Sequence, residues 1–359
     1  MRRQALSIAA LAILLGAVLS GCSLINFTDD QPTNDGGVFK SVDGGEQWQS
    51  KVAVPTSSGT PASIITVDVN DLVVDPQDHR TLYLATSANG VFYSYDGGDN
   101  WLIPRDQPAD MKNTRAVAVD PHDSCTLYAA AGNKILKSEN CARSWQEIYF
   151  ATRPSELLTS LAIDAYEPGV MYAGTSEGTM LKSSDSGRSW KAINKNPAGQ
   201  SIEEILIDQK DTRRVYFGSL GQGLFKTTDK GKTWTVIAAE QFRDFPGALN
   251  FRDLAQDPSV DNTFYLASGY GLLKTTDGGS TWQAVQLTTQ PNQAKLYAVA
   301  VHPKDAKTIY YSTDTAFYAS HDGGTTWIAQ KLPTSRAATR LVVDTVEPAI
   351  LYLGVRQVL

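Results

Sequence analysis

Seven short stretches of this chain carry polar or charged pairs that chemistry could use. They are Asn70-Asp71, Arg115-Ala116, Thr159-Ser160, Glu203-Glu204, Arg252-Asp253, Tyr297-Ala298 and Thr339-Arg340. Each pair lies five and four residues before an Asp or His that ends a β-forming run: Asp75, Asp120, Asp164, Asp208, Asp257, His302 and Asp344. Closer to that landmark every run turns apolar, at Leu72, Val117, Leu161, Ile205, Leu254, Val299 and Leu341. If the stretches converge, Arg115, Arg252 and Arg340 can grip an anion, since guanidinium pairs with carboxylate or phosphate through paired N–H groups. Glu203, Glu204 and Asp253 carry the acid–base potential. Two carboxyls about 5–10 Å apart across an open cleft would suit glycoside cleavage. The mixed signs are equally those of a solvated mouth with internal ion pairs.

Other chemistries are poorly supplied. His79, His122 and His302 fall at turns and His321 inside a repeated turn, and no His, Cys and carboxylate cluster has ligand spacing. No glycine-rich loop leads from a strand into a helix. Neither a metal nor a cofactor is expected.

The elements that position the seven stretches follow from a repeat. All seven tryptophans close copies of one octapeptide: "SVDGGEQW" to Trp48, "SYDGGDNW" to Trp101, "SENCARSW" to Trp145, "SSDSGRSW" to Trp190, "TTDKGKTW" to Trp234, "TTDGGSTW" to Trp282 and "SHDGGTTW" to Trp327. The Trp-to-Trp steps are 53, 44, 45, 44, 48 and 45 residues. From each landmark to the next Trp the distance is 25 or 26 residues, so nearly all variation falls after the Trp. The constant half reads strand, turn, strand, turn. In "TLYLATSANGVFYSYDGGDNW", Thr81–Ala85 is rich in β-formers, Asn89-Gly90 is a hairpin signal and Val91–Ser94 runs back. With the run before the landmark this gives four strands, A to D, per repeat, the blade of a β-propeller.

The ends fix the count. After Trp327, 32 residues remain, enough for strands A and B. The stretch Gly36 to Trp48 supplies C, the turn and the start of D with no A or B before it. The expected fold is an all-β, seven-bladed propeller of four antiparallel strands per blade, the closing blade shared by both termini. Closure also hides sheet edges that would otherwise invite aggregation.

In the octapeptide the Asp carboxylate can accept from following backbone N–H groups, as in an Asx-turn. Gly supplies positive φ. The Trp buries a large apolar surface and can place its N–H nearby. The motif S/T-x-D-x-G-x-x-W resembles the Asp box of bacterial neuraminidase repeats, over about residues 36–359. In that family the box is structural and lies opposite the ligand face, which implies structural roles for Asp43, Asp96, Asp185, Asp229, Asp277 and Asp322. The third copy departs, with Asn140, Cys141 and Ala142 at the D-x-G positions. Cys125 begins strand B and Cys141 follows strand C of one hairpin. A disulfide Cys125–Cys141 would span them, adding roughly 3 kcal/mol and standing in for the Asp turn.

The N-terminus carries a basic start, an apolar run Ala5 to Val18 and Leu19-Ser20-Gly21-Cys22, which resembles a bacterial lipobox. The expectation is a lipoprotein signal peptide at 1–21, lipid on Cys22, a polar tether at 22–35 and the propeller at 36–359. That places the protein on the extracytoplasmic face of a bacterial cell membrane, held by lipid. A net charge of −6 argues against nucleic acid.

Two connectors are long, Gln49–Val69 and Thr235–Phe251. The second holds Phe242, Arg243 and Phe245, residue types that anchor protein interfaces; the rings can instead tuck between blades. Among Asp-box propellers, sialidases carry an Arg triad and a Tyr–Glu pair that cannot be assigned here. Xyloglucanases use two propellers. Sortilin-type receptors bind peptides with a larger one. The photosystem II assembly factor family is similar in size: seven blades, often a lipoprotein, with Arg on one face. The reading is a non-catalytic, membrane-tethered module that holds a protein or peptide on the connector face. A carbohydrate-active or sugar-binding propeller using the mouth carboxylates and arginines is the alternative.

Overall fold

The computed structural model describes residues 35–57, 62–195, 199–237 and 240–358. The expected signal peptide, Cys22 and all of the tether except Asp35 lie outside the described residues. Seven β-sheets form the blades, numbered here by their inner strands: Val69–Val74, Thr114–Asp120, Leu158–Ile163, Ile202–Ile207, Phe251–Gln256, Ala298–Val301 and Ala337–Val343. Each inner strand packs against the next, and the seventh returns to the first, so the ring is closed. The closing sheet runs Gln49–Lys51, Gly37–Ser41, Leu351–Arg356, Ala337–Val343, with Phe39 opposite Leu353. Both termini thus complete blade 7. In blade 1 the outer strand shrinks to one bridge, Tyr93 to Leu102. Gln107 takes over at the exposed edge, its side-chain carbonyl accepting from Val91 N at 2.8 Å. Among the described residues, a single 3-10 turn at Ala109–Lys112 is the only helix, and none is long and apolar enough to cross a membrane.

The octapeptide shows why it repeats. In blade 4, Thr227 Oγ1 donates to Asp229 at 2.7 Å and accepts from Gly231 N at 3.0 Å, while Asp229 accepts from Thr233 N at 2.9 Å. Lys230 and Gly231 sit at φ 62° and 87°, the left-handed region. Each Trp then packs against the preceding blade. Trp101 is fully buried with Val38 of the closing blade and Val54 of the connector that follows it, and its indole donates to Lys51 O at 2.8 Å. Trp327 does the same to Gln286 O, but the other five indole N–H groups are buried without a partner, so the expected bond holds for two. Apolar filling between blades is therefore what the Trp supplies throughout.

A second staple went unread in the sequence. The strand-B tyrosines Tyr128, Tyr172, Tyr216 and Tyr352 donate to the backbone carbonyl of the next blade's box turn, at 3.0–3.2 Å. The strand-C lysines Lys40, Lys182 and Lys226 join three of those carbonyls.

The degenerate box corrects one expectation. Cys125 and Cys141 are disulfide-bonded, yet the turn survives. Asn140 accepts from Ser138 Oγ at 3.0 Å and Ser144 N at 2.9 Å, as the aspartates do. An amide oxygen serves the same donors, so the disulfide adds to the turn instead of replacing it.

Candidate functional site

The hub is built by a shared irregularity. Six inner strands skip one residue in register near their start, at Asn70, Arg115, Thr159, Glu203, Arg252 and Thr339. Along a regular strand, neighbouring side chains face opposite sides. A bulge re-aims one, so two adjacent residues reach the hub. That is how Glu203 and Glu204 both face it, and likewise Thr339 and Arg340.

Two chambers result. The upper, about 450 Å³, opens on the connector face and is lined by Asn70, Arg115, Arg252, Tyr297, Lys295 and Arg356 among others. The lower, about 520 Å³, opens toward the Asp-box face through Pro76, Pro121 and Ala165. Thr159, Glu203, Glu204 and Arg340 line both and form the partition.

At the partition, Arg340 Nε lies 3.2 Å from Asp71 Oδ1. Three carboxylates lace one blade to the next. Asp71 accepts from Val117 N at 3.1 Å, Glu204 from Leu254 N at 3.2 Å and Asp253 from Val299 N at 2.7 Å. The Glu204 and Asp253 carboxyls also lie close enough to share a hydrogen bond when one of them is protonated. Burial, then the charge of Asp253, pushes the Glu204 carboxyl well above its ordinary range. Burial likewise raises Asp253, partly opposed by Arg340.

The upper cations are differently placed. Arg252 lies over the Tyr297 ring at 5.9 Å. Among the described residues, Arg115, Arg252, Lys295 and Arg356 form no ion pair with a carboxylate, whereas Arg340 does. Burial, then Arg340 and Arg115, presses the Arg356 pKa down. Glu203 and Asp68 oppose that shift only in part, so the cations outweigh the carboxylates there.

Of the residues singled out from sequence, Arg115, Glu203, Glu204, Arg252, Asp253, Tyr297 and Arg340 meet at the hub. Phe242 is corrected: it is 4% exposed, packed on Trp282 at 5.9 Å between centroids, and has no face for a partner. Phe245 is half-buried against Tyr270, and exposed Arg243 lines neither chamber. Sequence reasoning missed Lys295 and Arg356. Both lie next to strand ends, two residues before Tyr297 and at the end of "YLGVR", so extending the columns to those ends would have found them. No group of three or more potential metal ligands is found among the described residues.

Fold and hub define an Asp-box propeller with a basic upper mouth. A family model described as "Photosynthesis system II assembly factor YCF48" matches residues 23–221, and the chain belongs to that family. A sortilin (neurotensin receptor 3) model matches residues 178–268. The photosystem II assembly lipoprotein Ycf48 of Prochlorococcus marinus is 23% identical over 173 residues, covering 47% of this chain and 46% of that protein. An oligoxyloglucan-reducing end-specific xyloglucanase of Emericella nidulans is 22% identical over 211 residues, 48% of this chain and 26% of the enzyme. The matched part thus spans less than half of these curated relatives. Among solved structures, the GH74 xyloglucanase of Xanthomonas campestris has TM-score 0.65 at 20% identity, over 86% of this chain and 52% of that one. YCF48 bound to D1 peptide has TM-score 0.62 at 16% identity, over 85% and 96%. These two likenesses show the fold.

Proposed function

We propose that this protein is a lipid-tethered binding module that holds an acidic segment of a protein partner in the upper hub chamber. The observation that carries the reading is the excess of cations there: Arg115, Arg252, Lys295 and Arg356, none in an ion pair among the described residues, together with Arg340 outnumber Glu203 and Glu204 around about 450 Å³ of space. A carboxylate-bearing peptide relieves their mutual repulsion and gains paired N–H donors. Tyr297 and exposed Leu220 offer apolar contact beside the charges. A solved relative holding a D1 peptide supports a peptide as the class of partner.

The chain enters the propeller on this same face. Asp35 O accepts from Thr334 Oγ1 at 2.7 Å, and Arg336 pairs with Asp35 and, at 2.6 Å, with Asp68. From Cys22 to Asp35, thirteen extended residues reach at most about 45 Å. A lipid on Cys22 therefore keeps the chamber within reach of partners at the membrane.

The glycosidase alternative has less support. Glu204 and Asp253 lie within hydrogen-bonding reach of each other, whereas glycoside cleavage uses carboxyls about 5–10 Å apart. The test is titration of the full chain with a fluorescent acidic peptide and with its lysine-substituted counterpart. The acidic peptide is expected to bind, more weakly as salt rises. Arg252→Glu with Arg356→Glu should weaken it at least about tenfold at unchanged Tm. Equal binding of the two peptides would sink the proposal.

A further inference from the structure

The lower chamber is electrically the reverse of the upper. Its titratable lining is Asp71, Glu203, Glu204 and Asp253 against Arg340 alone, four carboxyls to one guanidinium. Asp71 is taken up by Arg340. The Glu204–Asp253 pair, with Glu203 beside it, must share that same guanidinium with Asp71, which leaves the carboxyls in excess. The walls below are apolar, with Val73, Ala118, Leu161, Ile163 and Leu341 contributing. The turns on the face where the chamber opens expose further apolar surface at Tyr166, Val260 and Val346. An apolar-walled cavity of about 520 Å³ with a few convergent polar groups has the dimensions and character of a small-ligand site.

We propose that this chamber is a second binding site, opening on the Asp-box face, for a small alkylammonium ligand: one cationic amine carrying an apolar chain. The ammonium supplies three donors and a positive charge to Glu204 and Asp253 at the partition. The chain lies along the apolar wall, removed from water. An anionic head is repelled by the same carboxyls. A neutral one forfeits the charge. The site is independent of the peptide reading, since Arg115, Arg252, Lys295 and Arg356 line the upper chamber and not this one.

Linkage gives a second signature. Burial, and for Glu204 the charge of Asp253, favour a proton on the pair against the opposing pull of Arg340, and a bound ammonium favours its release. An alkyl amine stays charged across neutral pH, so affinity rises with pH as the pair ionises.

The experiment is calorimetric titration of the full chain with hexylammonium, 1-hexanol and hexanoate at pH 5.5 and 7.5. Hexylammonium is expected to bind at least about tenfold tighter than either analogue, with the advantage larger at pH 7.5. Ala118→Phe, which fills the chamber, should abolish the binding. Glu204→Gln should cut it about tenfold and remove the pH dependence. Hexanol or hexanoate binding as well as hexylammonium would overturn the proposal on the unaltered protein alone, whatever the variants do. Full affinity in a folded Ala118→Phe chain would overturn the location.

Discussion

Asp229 and Glu204 belong to the same blade and carry the same functional group. Asp229 sits at the rim in a turn, taking hydrogen bonds from Thr227, Thr233 Oγ1 and Thr233 N, and these donors, the Thr233 hydroxyl first, hold its pKa down at about 2. Glu204 sits at the hub, where burial and then Asp253 push it up. One carboxyl is surrounded by donors in a turn that recurs in every blade. The other occupies a position where the seven blades differ. Recurrence marks what a blade needs to exist; divergence on a common frame marks where this ring became particular.

The sharpest way to break that comparison is to remove a recurrent rim residue and, separately, a hub residue. Trp101→Ala should destabilise by about 3–5 kcal/mol in chemical denaturation, because a fully buried indole between blades is lost. Arg115→Ala should stay within about 0.5 kcal/mol. Equal costs would erase the distinction between rim and hub. Next, Cys125→Ser with Cys141→Ser should cost about 3 kcal/mol yet leave the turn formed, since Asn140 keeps its own bonds. Loss of the hairpin's amide protection in hydrogen exchange would show instead that the disulfide alone holds it.

A smaller effect is expected at a single box. Asp96 accepts from Ser94 Oγ, Asn100 N and Asn100 Nδ2, and Asp96→Ala should cost about 1–2 kcal/mol. A neutral Asp96→Ala would mean that the glycines and Trp suffice for the turn.

The smallest effect is in the pH profile, and the two regions contribute with opposite sign. The box aspartates have folded pKa values below the unfolded one, about 2 for Asp185, Asp229 and Asp277. Their stabilisation is present above about pH 4 and lost as pH falls toward 2. Glu204 is raised, so its contribution is complete below about pH 4.5 and lost as pH climbs through its folded value. Thermal scans should therefore fall at both ends, and Glu204→Gln should flatten the alkaline limb alone. An identical alkaline slope in Glu204→Gln would show that the hub pair is ionised without penalty.

Much of this was legible in sequence because the signal was repeated. The octapeptide gave seven blades, and the half-blades at Gly36–Trp48 and after Trp327 gave the closure that the pairing of Phe39 with Leu353 shows. The hub columns were legible for a related reason: counting back from Asp75 or Asp208 reaches the same depth in every blade. Phe242 was not legible. An aromatic in a long connector looks the same whether it faces a partner or, as here, Trp282. The strand-B tyrosines were visible as residues, but their hydroxyls reach a turn 58 to 62 positions away, and 255 away for Tyr352, beyond any local pattern.

Sequence by itself determined the repeat, the blade and the ring, because those rest on period, turn chemistry and apolar alternation, all of which are local. Tertiary structure decided the division of the hub into a basic upper and an acidic lower chamber. Whether two charges compensate depends on which bulge re-aims which side chain and how far apart it leaves them. Arg340 pairs with Asp71 across 269 positions, while Arg356, with Arg340 and Arg115 as its stronger neighbours, forms no ion pair among the described residues, and no spacing along the chain encodes that difference.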